Sequence, residues 1–275
     1  MGPYERRLLL GGHAHLSGTD AWILSTHHSG QSTSARKVAA GIVVARRRMV
    51  TFIDDEDVRL AVYESLALTG QAPSTHSLAK ELGEADSQVR EALHRLADQR
   101  HWALGLDDQV LLAHPFATVP FGFSVMGART LWWGGCAWDS FALPHLVPDE
   151  PEVLVATRCP GCDNALSWVV GRDAPPKGVG VAHFLVPMAR VWDDVVTTCN
   201  NQRLFCSPRC VDQWLFATGN TRGYVMDLAT LWRLAEHWYD GRLDRGYQRR
   251  DPSEAISYFR DVGLHGPFWG TAAGA

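Results

Sequence analysis

The sequence predicts an α+β protein: an N-terminal winged helix (three helices plus a hairpin), then a small mixed-sheet domain with a cysteine-knuckle core. Three observations predict this. Apolar residues recur at helical spacing from Asp54 to Leu96 and give way to two short extended runs. Alternating runs suited to strands follow residue 150. Six cysteines, Cys136, Cys159, Cys162, Cys199, Cys206 and Cys210, all lie in the second half, four of them in two close pairs. A length of 275 residues calls for more than one unit, and 46% apolar content is enough to fill a core.

Val58, Ala61, Val62, Leu66 and Leu68 share one face of a first helix that Gly70 stops. Pro73-Ser74 leads into a second helix with Leu78, Ala79 and Leu82, closed by Gly83. Asp86 or Ser87 caps a third, with Val89, Leu93 and Leu96 inward. Trp102–Leu104 and Val110–Leu112 around Asp107-Asp108 read as the hairpin. Pro115–Pro120 reads as an ordered linker, and Cys136–Leu143 as a short helix stopped by Pro144. Val153–Ala156, Leu166–Val170 and Gly180–Val186 read as strands, with a helix after Ser207-Pro208 and an amphipathic helix over 225–239. The expected organisation is an extension over 1–50, a winged helix over 51–118, a mixed-sheet domain over 119–245 and a tail over 246–275.

Residues 1–50 hold no sustained apolar period and are expected to be poorly structured, or to precede a native start near Met49. His13, His15, His27 and His28 are assigned no chemistry. A net charge of -4 argues against a protein that coats nucleic acid. No run of about 18 apolar residues suits a membrane span, and in the opening Met1–Leu10 the apolar stretch Leu8–Leu10 after Arg6 and Arg7 is too short for a secretory core. A cytoplasmic location is expected, where clustered cysteines favour metal binding over disulfides.

Three cysteine settings bear chemistry. Cys136 follows Gly134-Gly135 at a helix start, where free amides and the helix dipole favour a thiolate, and Asp139 shares its face. A buried structural cysteine is the plainer alternative. Cys199 belongs to neither pair, and core packing is its plain reading; beside a second thiol it could share a soft metal. Cys159-Pro-Gly-Cys162 and Cys206-Ser-Pro-Arg-Cys210 are two turns whose four thiolates suit a closed tetrahedral structural zinc, giving the second domain a zinc-knuckle-like core.

From about Ser65 to Trp238 the chain resembles the alkylmercury (organomercurial) lyases. The likeness rests on the winged half around Gly70–Phe116, on Cys136-Ala-Trp-Asp139-Ser-Phe-Ala-Leu-Pro144, and on Thr198-Cys199 through Phe205-Cys206-Ser207. It implies an alkylmercury-lyase-like catalytic domain over 119–245, in which Cys136, Cys199 and Asp139 form the site and hold the substrate and product mercury. It also implies protonolysis of R–Hg⁺ to R–H and Hg²⁺, without an organic cofactor, in mercury resistance and detoxification. Cys136 would attack first, Asp139 would take a thiol proton, Cys199 would add the second sulfur, and Asp139 would protonate the leaving carbon. Cellular thiols or a mercury-handling reductase would accept the product. The winged half is a structural partner in such enzymes. The chain departs from the pattern at Gly135, where an aromatic residue is common, and in carrying the four paired cysteines. Two other functions fit the residues: a metal- or thiol-responsive regulator placing Gln88, Arg90, Glu91, His94 and Arg95 in a DNA groove, or a lyase-like enzyme acting on another organometal or a natural product.

Overall fold

The computed structural model describes residues 53–272. The reading of residues 1–50, with its four histidines, lies outside them. The described residues group as one compact unit.

Three helices open it: α1 Asp55–Thr69, α2 Thr75–Leu82 and α3 Asp86–Asp98. Asp54 caps α1 by accepting from the Glu56 N–H at 3.0 Å, and Ser74 caps α2 by accepting from that of Ser77 at 3.1 Å. Gly70 ends α1 at φ 73, and a Cβ there would sit 2.4 Å from the Leu131 carbonyl oxygen. Both the left-handed turn and the close packing therefore require glycine. In α3 both expected caps, Asp86 and Ser87, lie inside the helix, and Ala85 occupies the capping position. The Gln88 side chain reaches back instead and accepts from the Ala85 N–H at 3.2 Å. Val58, Val62, Leu66, Leu78, Val89, Leu93 and Leu96 are buried, as their spacing predicts.

The expected hairpin forms from β1 Ala103–Leu104 and β2 Val110–Ala113. The stretch expected as a linker contains a strand, β3 Phe116–Ala117, because both side chains are apolar and buried and the backbone finds partners on both sides. After β4 Phe123–Met126 and β5 Leu131–Gly134, β3 is seen to lie between β2 and β5. With β6 Glu152–Arg158 and β7 Ala165–Gly171 the sheet has seven antiparallel strands in the order β1-β2-β3-β5-β4-β6-β7. It runs through the expected 118/119 boundary without a break.

Between β5 and β6 lies α4 Ala137–Leu146, which passes through Pro144 and does not stop there. Proline removes one N–H, but the turn still closes through the Val147 N–H on the Leu143 carbonyl at 2.9 Å. The Arg172 guanidinium donates to the carbonyls of Pro144, Val147 and Pro148 at the helix end.

A second sheet, ordered β10-β8-β9, comprises β8 Val181–Phe184, β9 Gln202–Phe205 and β10 Tyr224–Asp227. α5 Val195–Asn200 precedes β9 and α6 Pro208–Thr218 follows it. Residues 225–227, expected as the head of a helix, are strand paired with Val181–His183. Asp227 accepts from the Thr230 N–H at 2.7 Å, which moves the start of α7 to Leu228–Glu236. Residues 246–275, expected as a tail, include α8 Pro252–Asp261 and bury Phe259 and Trp269. The architecture is α+β, of helices and antiparallel sheet. Among the described residues no helix is long and apolar enough to cross a membrane.

Candidate active site

Three separate elements converge on one buried point. Cys136 is the N-cap of α4, and its sulfur accepts from the Asp139 N–H at 3.4 Å. Asp139 lies in the first turn of α4, Cys199 near the end of α5, and His114 in the turn between β2 and β3. Cys136, Asp139 and Cys199 are each at most 2% exposed. The two thiols, far apart in sequence, are near enough to bias each other's ionisation. The sequence-predicted residues Cys136, Asp139 and Cys199 are thus brought together.

Three further residues, which the sequence reading missed, complete the arrangement. The His114 Nδ1 lies 3.1 Å from Asp139 Oδ2, and both ring nitrogens lie 4.0 Å from the Cys199 sulfur. The Tyr239 hydroxyl donates to Asp139 Oδ1 at 2.5 Å. The Cys136 thiol donates to Gln202 Oε1 at 3.0 Å. His114 is a lone histidine after an apolar run, Tyr239 follows the end of α7, and Gln202 opens a four-residue strand. Only their three-dimensional meeting marks them out.

The charges differ from the sequence expectation. Cys136 was expected to ionise readily at a helix start. Burial instead pushes its thiol well above the usual range, reinforced by the neighbouring Cys199 sulfur and the negative charge of Asp139. One amide contact does not offset the loss of water. The favoured thiolate is Cys199. Burial alone would raise it, but the neighbouring Cys136 thiol and the facing His114 cation hold it below the usual thiol value. Burial would likewise lower His114, yet the Asp139 carboxylate and the Cys199 sulfur raise it to about 10. Burial, then the Asp139 charge, keeps Tyr239 protonated. The centre thus holds an imidazolium at His114, a Cys199 thiol biased toward its anion and a Cys136 thiol biased toward its neutral form, around the Asp139 carboxyl group.

Gly135, the departure noted in the sequence, has a structural reason. A Cβ there would fall 2.5 Å from both Asp139 Oδ2 and Leu112 Cδ1. Above the site, Trp192 meets the His114 ring edge-on, and Arg100 and Arg249 stack on the Trp192 ring. The other four cysteines form a separate group, with the sulfurs of Cys159, Cys162, Cys206 and Cys210 all within 4.8 Å of one another.

A thiol biased toward its anion and another biased toward its neutral form, beside a carboxyl group, are suited to seizing a soft electrophile and moving a proton. Residues 116–240 match the family model described as alkylmercury lyase. A solved structure, the mercury-bound form of MerB2, is similar at a TM-score of 0.53 and 17% identity, covering 70% of this chain and 93% of that chain. No curated protein matches. Over residues 116–240 the chain is therefore similar to the alkylmercury lyases, and it shares its fold with the MerB2 structure. The matched stretch holds Cys136, Asp139, Cys199, Gln202 and Tyr239, while His114 lies just outside it.

Proposed function

We propose that the chain cleaves carbon–mercury bonds by protonolysis, R–Hg⁺ giving R–H and Hg²⁺, with Cys136, Cys199 and Asp139 as the reacting groups. The observation that carries this is the convergence of a thiolate-prone and a thiol-prone cysteine beside one carboxyl group. Mercury(II) is soft and takes sulfur before oxygen or nitrogen. The charge pattern favours Cys199 as the first sulfur on mercury. Cys136 then binds and loses its proton to Asp139, and Asp139 passes that proton to the departing carbon. Two sulfur–mercury bonds form, one carbon–mercury bond breaks, and one proton travels from Cys136 to the hydrocarbon. His114 and Tyr239 orient the carboxyl group from its two oxygens. The product ion would leave to cellular thiols or a mercury-handling reductase, in a cytoplasmic detoxification role.

We read the three helices and hairpin as a winged-helix-like unit with a structural role. Supporting this, the basic side chains that a DNA reader would present are engaged at home. Arg90 and His94 pair with Asp108 at 3.2 and 3.0 Å, and Arg95 pairs with Asp55 at 2.6 Å. The experiment is release of benzene from phenylmercury by purified protein, followed by gas chromatography. Cys136→Ser, Cys199→Ser and Asp139→Asn are each expected to reduce turnover by at least ~10²-fold, the usual scale for losing a positioned proton donor. Undiminished turnover in Cys136→Ser would remove the two-sulfur mechanism.

A further inference from the structure

The paired cysteines lie outside the proposed reaction and need their own account. We propose that Cys159, Cys162, Cys206 and Cys210 hold one zinc ion as a closed structural site that anchors the strand feeding the reaction centre.

Four thiols meet here from two turns. Cys159 and Cys162 lie on the turn between β6 and β7, which the Asp163 N–H closes onto the Cys159 carbonyl at 2.8 Å. Cys206 directly follows β9, and Cys210 lies in the first turn of α6, behind the Ser207 cap and Pro208. The turns interlock. The Cys206 N–H points at the Cys159 sulfur at 3.5 Å, and a Cβ on Gly161 would fall 2.2 Å from the Cys210 carbonyl oxygen. Only glycine permits that approach, so the backbone is shaped to bring the two pairs together.

The spacing suits an ion and not a disulfide. Zinc–sulfur bonds of ~2.3 Å in a tetrahedron place sulfurs about 3.8 Å apart. All four sulfurs lie within 4.8 Å of one another, and Cys162 and Cys206 are 3.5 Å apart, far beyond the ~2.05 Å of a disulfide bond. An all-thiolate tetrahedron selects zinc or iron, and a fully ligated ion has no position for substrate. Around it Phe205, Val211 and Leu215 form an apolar cluster separate from the main core. That small cluster is poorly placed to hold two turns without a cross-link.

The site also bears on the reaction centre through β9. Its first residue, Gln202, accepts the Cys136 proton bond, and the residue after its last is the ligand Cys206. A bound ion would fix one end of the strand whose other end positions a reacting thiol.

The test is metal analysis of full-length protein purified under reducing conditions without added metal, with thiols counted after denaturation. One zinc ion per chain and six free thiols are expected. Cys162→Ser and Cys206→Ser should lose the zinc, whereas Cys136→Ser and Cys199→Ser should keep it. If the first two fail to fold, cobalt(II) exchanged into the wild-type protein should still show the thiolate charge-transfer and tetrahedral bands of a four-sulfur site. Absence of metal, iron in its place, fewer than six free thiols, or zinc lost from Cys199→Ser would each overturn the proposal. Phenylmercury turnover is a separate readout, so an inactive protein that holds zinc would reject the lyase mechanism and leave this site standing.

Discussion

His114 and Tyr239 each reach one oxygen of Asp139, but their electrical effects differ. Tyr239 is held neutral by burial and the nearby carboxylate, so it contributes a dipole and a fixed orientation. His114 is held charged and faces the Cys199 sulfur. Replacing it with a neutral amide therefore has a definite expected outcome. His114→Gln should move Cys199 ionisation to higher pH, seen as a shift in the ultraviolet thiolate titration, and lower turnover by roughly 10²-fold. An unmoved titration would show that the imidazolium does not stabilise that thiolate. The sequence disclosed the two sulfurs and the carboxyl group because Cys136 and Asp139 share one helical turn and Cys199 stands apart from both cysteine pairs. It did not disclose which sulfur bears charge, since that depends on burial and on a histidine 85 positions from Cys199.

Local signals placed most of the helices. Gly70, Gly83 and Gly219 end α1, α2 and α6 in the left-handed conformation, and Ser74 and Ser207 cap the starts of α2 and α6. Such signals need only neighbouring residues. Where long-range pairing decides, the reading was incomplete. β3 is two residues long and owes its existence to strands on either side. Residues 225–227 have apolar spacing compatible with a helix but become strand through Val181–His183. The junction of β5 and α4 is where element geometry meets chemistry. Gly134 and Gly135 let the strand turn into the helix with Ser140 and Asp139 packed directly against them. Gly135→Ala is expected to displace the Asp139 carboxyl group and Leu112, lowering turnover far more than stability, with a destabilisation of about 1–3 kcal/mol, typical of overpacking. Turnover and chemical denaturation on the same sample check it; wild-type turnover would show that the carboxyl group tolerates displacement.

At the scale of the molecule, buried histidines give folding a pH dependence. Burial lowers His101, His145 and His183 to about 4 each, assisted by nearby positive charge, whereas an unfolded histidine titrates near ~6.5. Between these values the unfolded chain binds more protons, so stability should be full above about 6.5 and decline as pH falls toward 4. His114 has the opposite sign: its contribution is present below about 6.5 and disappears as pH rises through about 10. Denaturation midpoints across this range check both limbs, and a profile flat on the acid side would contradict the first.

The sheet that joins the helical half to the lyase-like half has a practical consequence. Because β2 and β3 bracket His114, the first half of the chain lends a functional group to the second. An engineer who excised residues 119–245 and grafted them onto a foreign carrier would inherit both sulfurs and the acid, yet forfeit the cation beside them. The two halves therefore build one candidate site between them, and neither carries it whole.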